Sequence, residues 1–332
     1  MAYSTYWTNR EQQQPEDQLP SLSQLWAEKY VSNLARQDYK LNEIAAAQGR
    51  RATAQNLSAM LRSMSAQAWN KTEALLAREI RRHAISLDLI DPWTISKDVH
   101  CIYEKALAAY VNEVSPQRFS VTISQELGEI RRHHTAVDPR VIGFVSMQFH
   151  YCGSFLAQEA PAAETKTLRE YFKVVDDLLY MPLHRAYAAA ASYDFEDPRL
   201  RTIHQLLPQT SRIAQAIVNQ VRTLYPHYEC YSGPLDSEAV RTSSVRDVEM
   251  FQIYLWTCLL EKSIAPITQE LFPLCVMLYP TLKVNWQLVR DMIELLGKAF
   301  AGHIEPELNQ YYQPYYQALW QMFSPEVFPE AI

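Results

Sequence analysis

Residues 244–280 read SVRDVEMFQIYLWTCLLEKSIAPITQELFPLCVMLYP, and this stretch decides the fold class. Arg246, Asp247 and Glu249 open it, and residues 250–260 then form the most apolar run in the chain. Glu261 and Lys262 interrupt, and a second apolar run over residues 271–279 stops at Pro280. Runs this long without strand alternation read as two core helices packed back to back. The acids before the first of them complement the positive end of a helix dipole.

Outward from that pair the punctuation is helical. Upstream, residues 22–47 and 52–86 carry helical patterns separated at Gly49. Leu57, Met60, Leu61 and Met64 keep the spacing of one amphipathic face. Asp91-Pro92 closes that unit, and Ser96 is expected to cap a helix to residue 114. Asp138-Pro139 and Asp197-Pro198 each place a capping Asp before a Pro at the first helical position. They predict helices over residues 138–158 and 199–207. Residues 162–191 read as a helix broken at Pro182, and 210–224 as another. Residues 118–123 are the one segment that also suits a strand. Downstream, helices are expected over residues 285–300 and 307–323, the last kinked at Pro314.

The expected fold is therefore all-α, a bundle of about ten helices around the buried pair. Residues 1–20 are expected to be a disordered tail, residues 21–224 a helical part and residues 237–323 a C-terminal helical part. Residues 225–236, with Pro226, Gly233 and Pro234, form the loop between them and a candidate domain boundary.

Composition removes several functional classes. The chain has 332 residues, 48% hydrophobic, which is ample for a core. A net charge of −6 opposes nucleic-acid binding, although Arg50, Arg51, Arg81 and Arg82 form a local basic set. No run approaches the roughly 20 apolar residues of a membrane span. Only seven glycines occur, and no phosphate-binding or nucleophile-elbow motif is present. Five scattered cysteines without a CxxC pair suit free thiols in a reducing cytosol.

Three sets of residues are candidate sites. Glu79-Ile-Arg-Arg-His83 recurs as Glu129-Ile-Arg-Arg-His133. With Ile130 at the centre of the apolar stripe, Glu126 and His133 lean toward the core, Glu129 lies just outside, and Arg131 and Arg132 point away. Glu126, Glu129, His133 and His83 could then ligate a metal between helices, as facing Glu/His helices do in di-iron bundles. The spacing here is Glu-x-x-x-His rather than Glu-x-x-His, which favours a structural polar pair. Tyr3, Tyr6 and Trp7 form a second set, aromatics in a polar tail that could dock on a partner. The third lies in an acidic C-terminal stretch without Lys or Arg after Lys298: Tyr311, Tyr312, Tyr315, Tyr316 and Trp320. They either pack on the body or meet a basic partner. His150 is expected to serve a backbone carbonyl, and Asp176-Asp177 to be solvated near a helix end. No cofactor is expected.

Residues 119–151 (FSVTISQELGEIRRHHTAVDPRVIGFVSMQFHY) and 246–279 (RDVEMFQIYLWTCLLEKSIAPITQELFPLCVMLY) resemble a conserved all-helical protein family of cyanobacteria to which no activity attaches. The resemblance covers about half the chain. It implies a bacterial cytosolic or membrane-peripheral setting and carries over no catalytic residue. The sequence thus leads to a non-catalytic adaptor, scaffold or regulatory factor acting on another protein. A helical metal- or cofactor-binding protein is the alternative.

Overall fold

A computed structural model of the chain describes residues 22–329, with the side chains of 22–26, 35 and 38–42 left aside. The expected tail over residues 1–20, with Tyr3, Tyr6 and Trp7, lies outside the described residues. Among those described the fold is all-α, with twelve α-helices and one hairpin of two-residue strands, Glu229–Cys230 paired with Gly233–Pro234. The hairpin falls within the loop expected at 225–236. Two compact units divide between Arg51 and Ala52, so residues 225–236 lie inside the second unit.

Helix α1 (Leu22–Arg82) is unbroken over 61 residues. The expected break at Gly49 does not occur. A glycine inside a helix costs only about 1 kcal/mol, and it sits among Ala45, Ala46, Ala47 and Ala52, which favour the helix. From Ala54 onward α1 buries Leu57, Leu61, Met64, Ala68 and Leu76 on one face.

Caps set the later boundaries. Asp91 accepts a hydrogen bond from the Trp93 amide, and Pro92 is the first residue of α2 (Pro92–Val111). This Asp-Pro therefore begins a helix, by the same logic as the other two, and Ser96 lies inside it. Ser115 caps α3 (Pro116–Thr135), which absorbs the strand candidate at 118–123. Asp138 caps a short 3-10 turn leading into α4 (Ile142–Glu159). Helices α5 (Ala162–Tyr180) and α6 (Leu183–Ala190) separate at Pro182. Asp197 caps α7 (Pro198–Leu206), and α8 spans Thr210–Leu224.

Helix α9 (Glu238–Glu261) is the hub. Residues 248–260 are buried without exception, and α6, α8 and α12 pack around them. A left-handed residue, Lys262, ends α9. The chain then makes a π-helical turn, Pro266–Leu271, and continues as α10 (Phe272–Thr281). Helix α10 packs on α4 and on that turn instead of running back along α9. The helices α11 (Trp286–Ala301) and α12 (Pro306–Met322) complete the unit.

Helix α4 meets α2 at a glycine. A Cβ on Gly153 would stand 2.3 Å from the Tyr103 hydroxyl, which donates to the Phe149 carbonyl at 2.8 Å from full burial. Tyr103 cannot retreat without losing that bond. Gly153→Ala is expected to lose about 1–3 kcal/mol of stability by overpacking. Gly302→Ala, with no atom closer than 3.5 Å, is the matched control. Equal melting temperatures for the two variants would contradict this packing.

Candidate functional site

The stripe expected on α3 is rotated. Ile123, Leu127, Gly128, Arg131 and His134 are buried, whereas His133 is exposed and Val137 is 77% exposed. The face is centred on Ile123 and Leu127, and Gly128 lets His184 of α6 approach closely. This corrects two sequence expectations. Arg131 turns inward, and the histidine at the core is His134, whose Nε2 lies 2.8 Å from Asp98 Oδ2.

The four metal candidates are not brought together. Lys105 Nζ donates to Glu126 at 2.6 Å. Glu129 accepts from Gln125 at 3.0 Å, and His133 meets the ring of His134 edge-on. His83 Nε2 lies 3.3 Å from Glu79. Among the described residues no group of three or more His, Cys, Asp or Glu converges on a point that could hold a metal ion.

The C-terminal aromatics pack inward. Tyr312 is buried against Phe300, which removes it from any docking surface. Tyr316 donates to the Ile293 carbonyl at 3.2 Å, and Tyr311 lies against the Arg199 guanidinium. Tyr315 and Trp320 are half-buried on the core. Helix α12 needs these rings to cover α7, α9 and α11.

Arg131 belongs to an ion cluster built on the π-helical turn. It donates to the carbonyls of Leu179 at 2.5 Å and Tyr180 at 3.0 Å, to Tyr254 Oη at 2.6 Å and to Glu270 Oε2 at 3.0 Å. Arg185 pairs with Glu270 and, at 2.5 Å, with Glu261. The wider turn aims Glu270 at both arginines, a use of π geometry that recurs at functional sites.

A second cluster lies between α4, α5 and α9. Lys173, Asp176, Asp177 and Tyr180 occupy one stripe of α5, at i, i+3, i+4 and i+7. Arg246, Asp247 and Glu249 sit a third of the way along α9, not in its first turn. His150 Nδ1 lies 2.8 Å from Asp176 Oδ2, so the partner of His150 is a carboxylate. Arg246 stands 3.8 Å from Asp176 and 4.5 Å above the Tyr180 ring. Lys173 pairs with Asp177 and reaches within 4.0 Å of Glu249, which accepts from Ser211 at 2.6 Å.

Burial pushes the Asp177 carboxyl up to about 6 despite Lys173, and nearby Glu249 adds to the rise. Burial likewise pushes Asp247 up to about 6, against Arg246 and the hydroxyls of Tyr180 and Tyr279. The Oδ1 atoms of Asp176, Asp177 and Asp247 have no hydrogen-bond partner among the described residues. This cluster can take up protons near neutral pH. The cavity beside Asp247, about 50 Å³ and walled mainly by Ile217, Val221, Leu288 and Val289, is far below the several hundred Å³ of a typical ligand site. Burial also raises the thiols of Cys152 and Cys258 to about 12, which leaves them poor nucleophiles.

The first part of α1 carries several exposed apolar side chains. Every described side chain over residues 27–46 is exposed. Among them Tyr30 is 52%, Val31 63%, Leu34 43% and Ile44 55% exposed. At 100° per residue Tyr30, Leu34 and Ile44 share an arc of about 80°, and Val31 lies about 60° beyond it, so that the four span about 140°. The sequence reading gives residues 22–47 a helical pattern and names no surface on it.

No helix among the described residues is long and apolar enough to cross a membrane. No protein-family model matches the chain, and no curated protein or solved structure matches it either.

Proposed function

We propose that this chain is a non-catalytic helical binding protein, an adaptor, scaffold or assembly factor, that docks another protein on the exposed stripe of α1. The observation that carries the reading is the run of exposed apolar residues over 27–46. Helices in proteins draw most of their stability from packing an apolar face. Single exposed apolar residues are ordinary, but an aligned set on one helix face is the signature of a partner. An amphipathic helix laid into a partner's groove, or against a partner helix, is the matching mode. The ion cluster around Arg131 satisfies itself across helix seams, and the thiols of Cys152 and Cys258, raised by burial, agree with a binding role. Five free cysteines agree with a reducing compartment.

The test is a triple variant, Val31→Asp, Leu34→Asp and Ile44→Asp, expressed in the native cell with an affinity tag. Copurification of a stoichiometric partner is expected to fall at least about tenfold, since buried apolar anchors dominate interfaces. Thermal unfolding is expected to stay unchanged, because these side chains are already exposed. Undiminished recovery of the partner would overturn the reading.

A further inference from the structure

A second surface lies at the other end of α1, within the unit that begins at Ala52. An open groove of about 480 Å³ is lined by His83, Asp138, Pro139, Arg140, Gln269, Phe272, Pro273 and Val276. Its floor is apolar, from Pro139, Phe272, Pro273 and Val276. Its volume falls among those of binding sites, roughly 300–1,000 Å³.

Exposed arginines stand beside the groove in a chain of net charge −6. The last turns of α1, which lead into His83 of the groove, carry Arg78, Arg81 and Arg82, all exposed, which with Glu79 line a second, separate depression. With Arg140 this corner holds four arginines against two carboxylates, Glu79 and Asp138. Arg82 lies 3.4 Å from Glu79, while Arg78 and Arg81 make no ion pair among the described residues.

Arg140 is held rigidly. Its Nε and Nη2 donate to Asp138, and its Nη1 donates to the His83 carbonyl at 2.7 Å. Those bonds use three of the five N–H donors of a guanidinium and leave two for a ligand. The Nε2 atom of His83 is buried and faces Glu79 at 3.3 Å, so it is turned to the helix's own carboxylate. On the opposite wall Gln269 is exposed, with an amide that can pair with an extended backbone.

We propose that this groove binds an acidic linear segment of a partner protein, a stretch of Asp or Glu flanking an aliphatic or aromatic anchor. The anchor lies on Phe272, Pro273 and Val276. The carboxylates meet Arg81, Arg82 and Arg140, where charge-assisted and bidentate bonds are strongest. Charge complementarity selects the occupant: a basic segment is repelled, and a purely apolar one leaves the guanidinium donors unmet. The surface is separate from the stripe at residues 27–46, and the two proposals stand on different observations.

The experiment is selection of displayed random peptides on the purified full-length protein, followed by binding of an enriched peptide in solution. Enriched sequences are expected to combine acidic residues with an apolar anchor. Affinity for the peptide is expected to fall roughly tenfold or more in Arg81→Glu/Arg82→Glu, and to weaken as salt is raised. These two side chains are exposed, so the fold is spared; Val276→Glu tests the floor. The variant with Asp at 31, 34 and 44 is expected to bind the peptide normally, which separates this groove from α1's stripe. Enrichment without acidic residues, or equal affinity in Arg81→Glu/Arg82→Glu, would overturn the proposal. So would loss of binding in the variant at 31, 34 and 44. Binding to phosphatidylglycerol vesicles without any acidic peptide enrichment would assign the rim to lipid instead.

Discussion

Arg131→Ala is expected to unfold at markedly lower denaturant than the parent chain, with a loss of about 3–5 kcal/mol. The guanidinium answers four acceptors at once: two carbonyls at the end of α5, the Tyr254 hydroxyl and Glu270. Without it those groups stay buried and lose that donor, while Glu270 keeps Arg185 and the Tyr254 hydroxyl at 3.4 Å. Arg131→Lys is expected to recover part of the loss, because an ammonium keeps the charge but not the planar fork. Arg132→Ala is the control. That substitution should fall within about 0.5 kcal/mol of the parent, since Arg132 is exposed. Chemical denaturation of the three variants checks the set, and near-parental stability of Arg131→Ala would contradict the inward placement.

Acidification is expected to stabilise the fold. Asp177 and Asp247 titrate at about 6 when folded, against 3.8 as the ordinary value. The folded chain therefore binds protons that the unfolded chain does not, and stability rises as pH falls from about 7 to about 5. Their contribution is complete below the unfolded value and is lost as pH climbs through the folded one. Each group accounts for roughly 3 kcal/mol in full, of which about 1 kcal/mol falls between about pH 7 and about pH 5. Asp138 acts oppositely: Arg140 lowers its pKa, so its contribution disappears only at more acid pH. The melting temperature should therefore peak in mild acid. Asp177→Asn/Asp247→Asn should be more stable than the parent at neutral pH and lose most of the slope. A parent chain that is less stable at about pH 5.5 than at about pH 7.5 would contradict the assignment.

Much of the architecture was legible because local chemistry fixed it. Asp138, Asp197, Pro182 and the 225–236 punctuation act within a turn of themselves, and the structure follows them. The apolar run of residues 250–260 needed no partner to be recognised as core. The errors came where distant contacts decide. Gly49 is a breaker by propensity, yet its alanine neighbours outweigh about 1 kcal/mol. The phase of α3 was set on Ile130, while the packed face is the one where Gly128 admits His184. The stripe of Lys173, Asp176, Asp177 and Tyr180 has helical spacing, but it reads as a solvated face. Only the arrival of α9, carrying Arg246, Asp247 and Glu249, covers Tyr180 and half-buries Asp176 and Asp177, leaving Lys173 exposed. Arg246, Asp247 and Glu249 looked like first-turn acids because Ser237, the true cap, lies well upstream.

The central claim is that residues 27–46 are a docking surface, and site-specific photocrosslinking in the native cell tests it most directly. A photoreactive phenylalanine analogue at position 31 or 44 should yield one discrete adduct with another protein, and the same group at exposed Glu73 should yield none. No adduct from 31 or 44, or the same products from all three positions, would contradict the account.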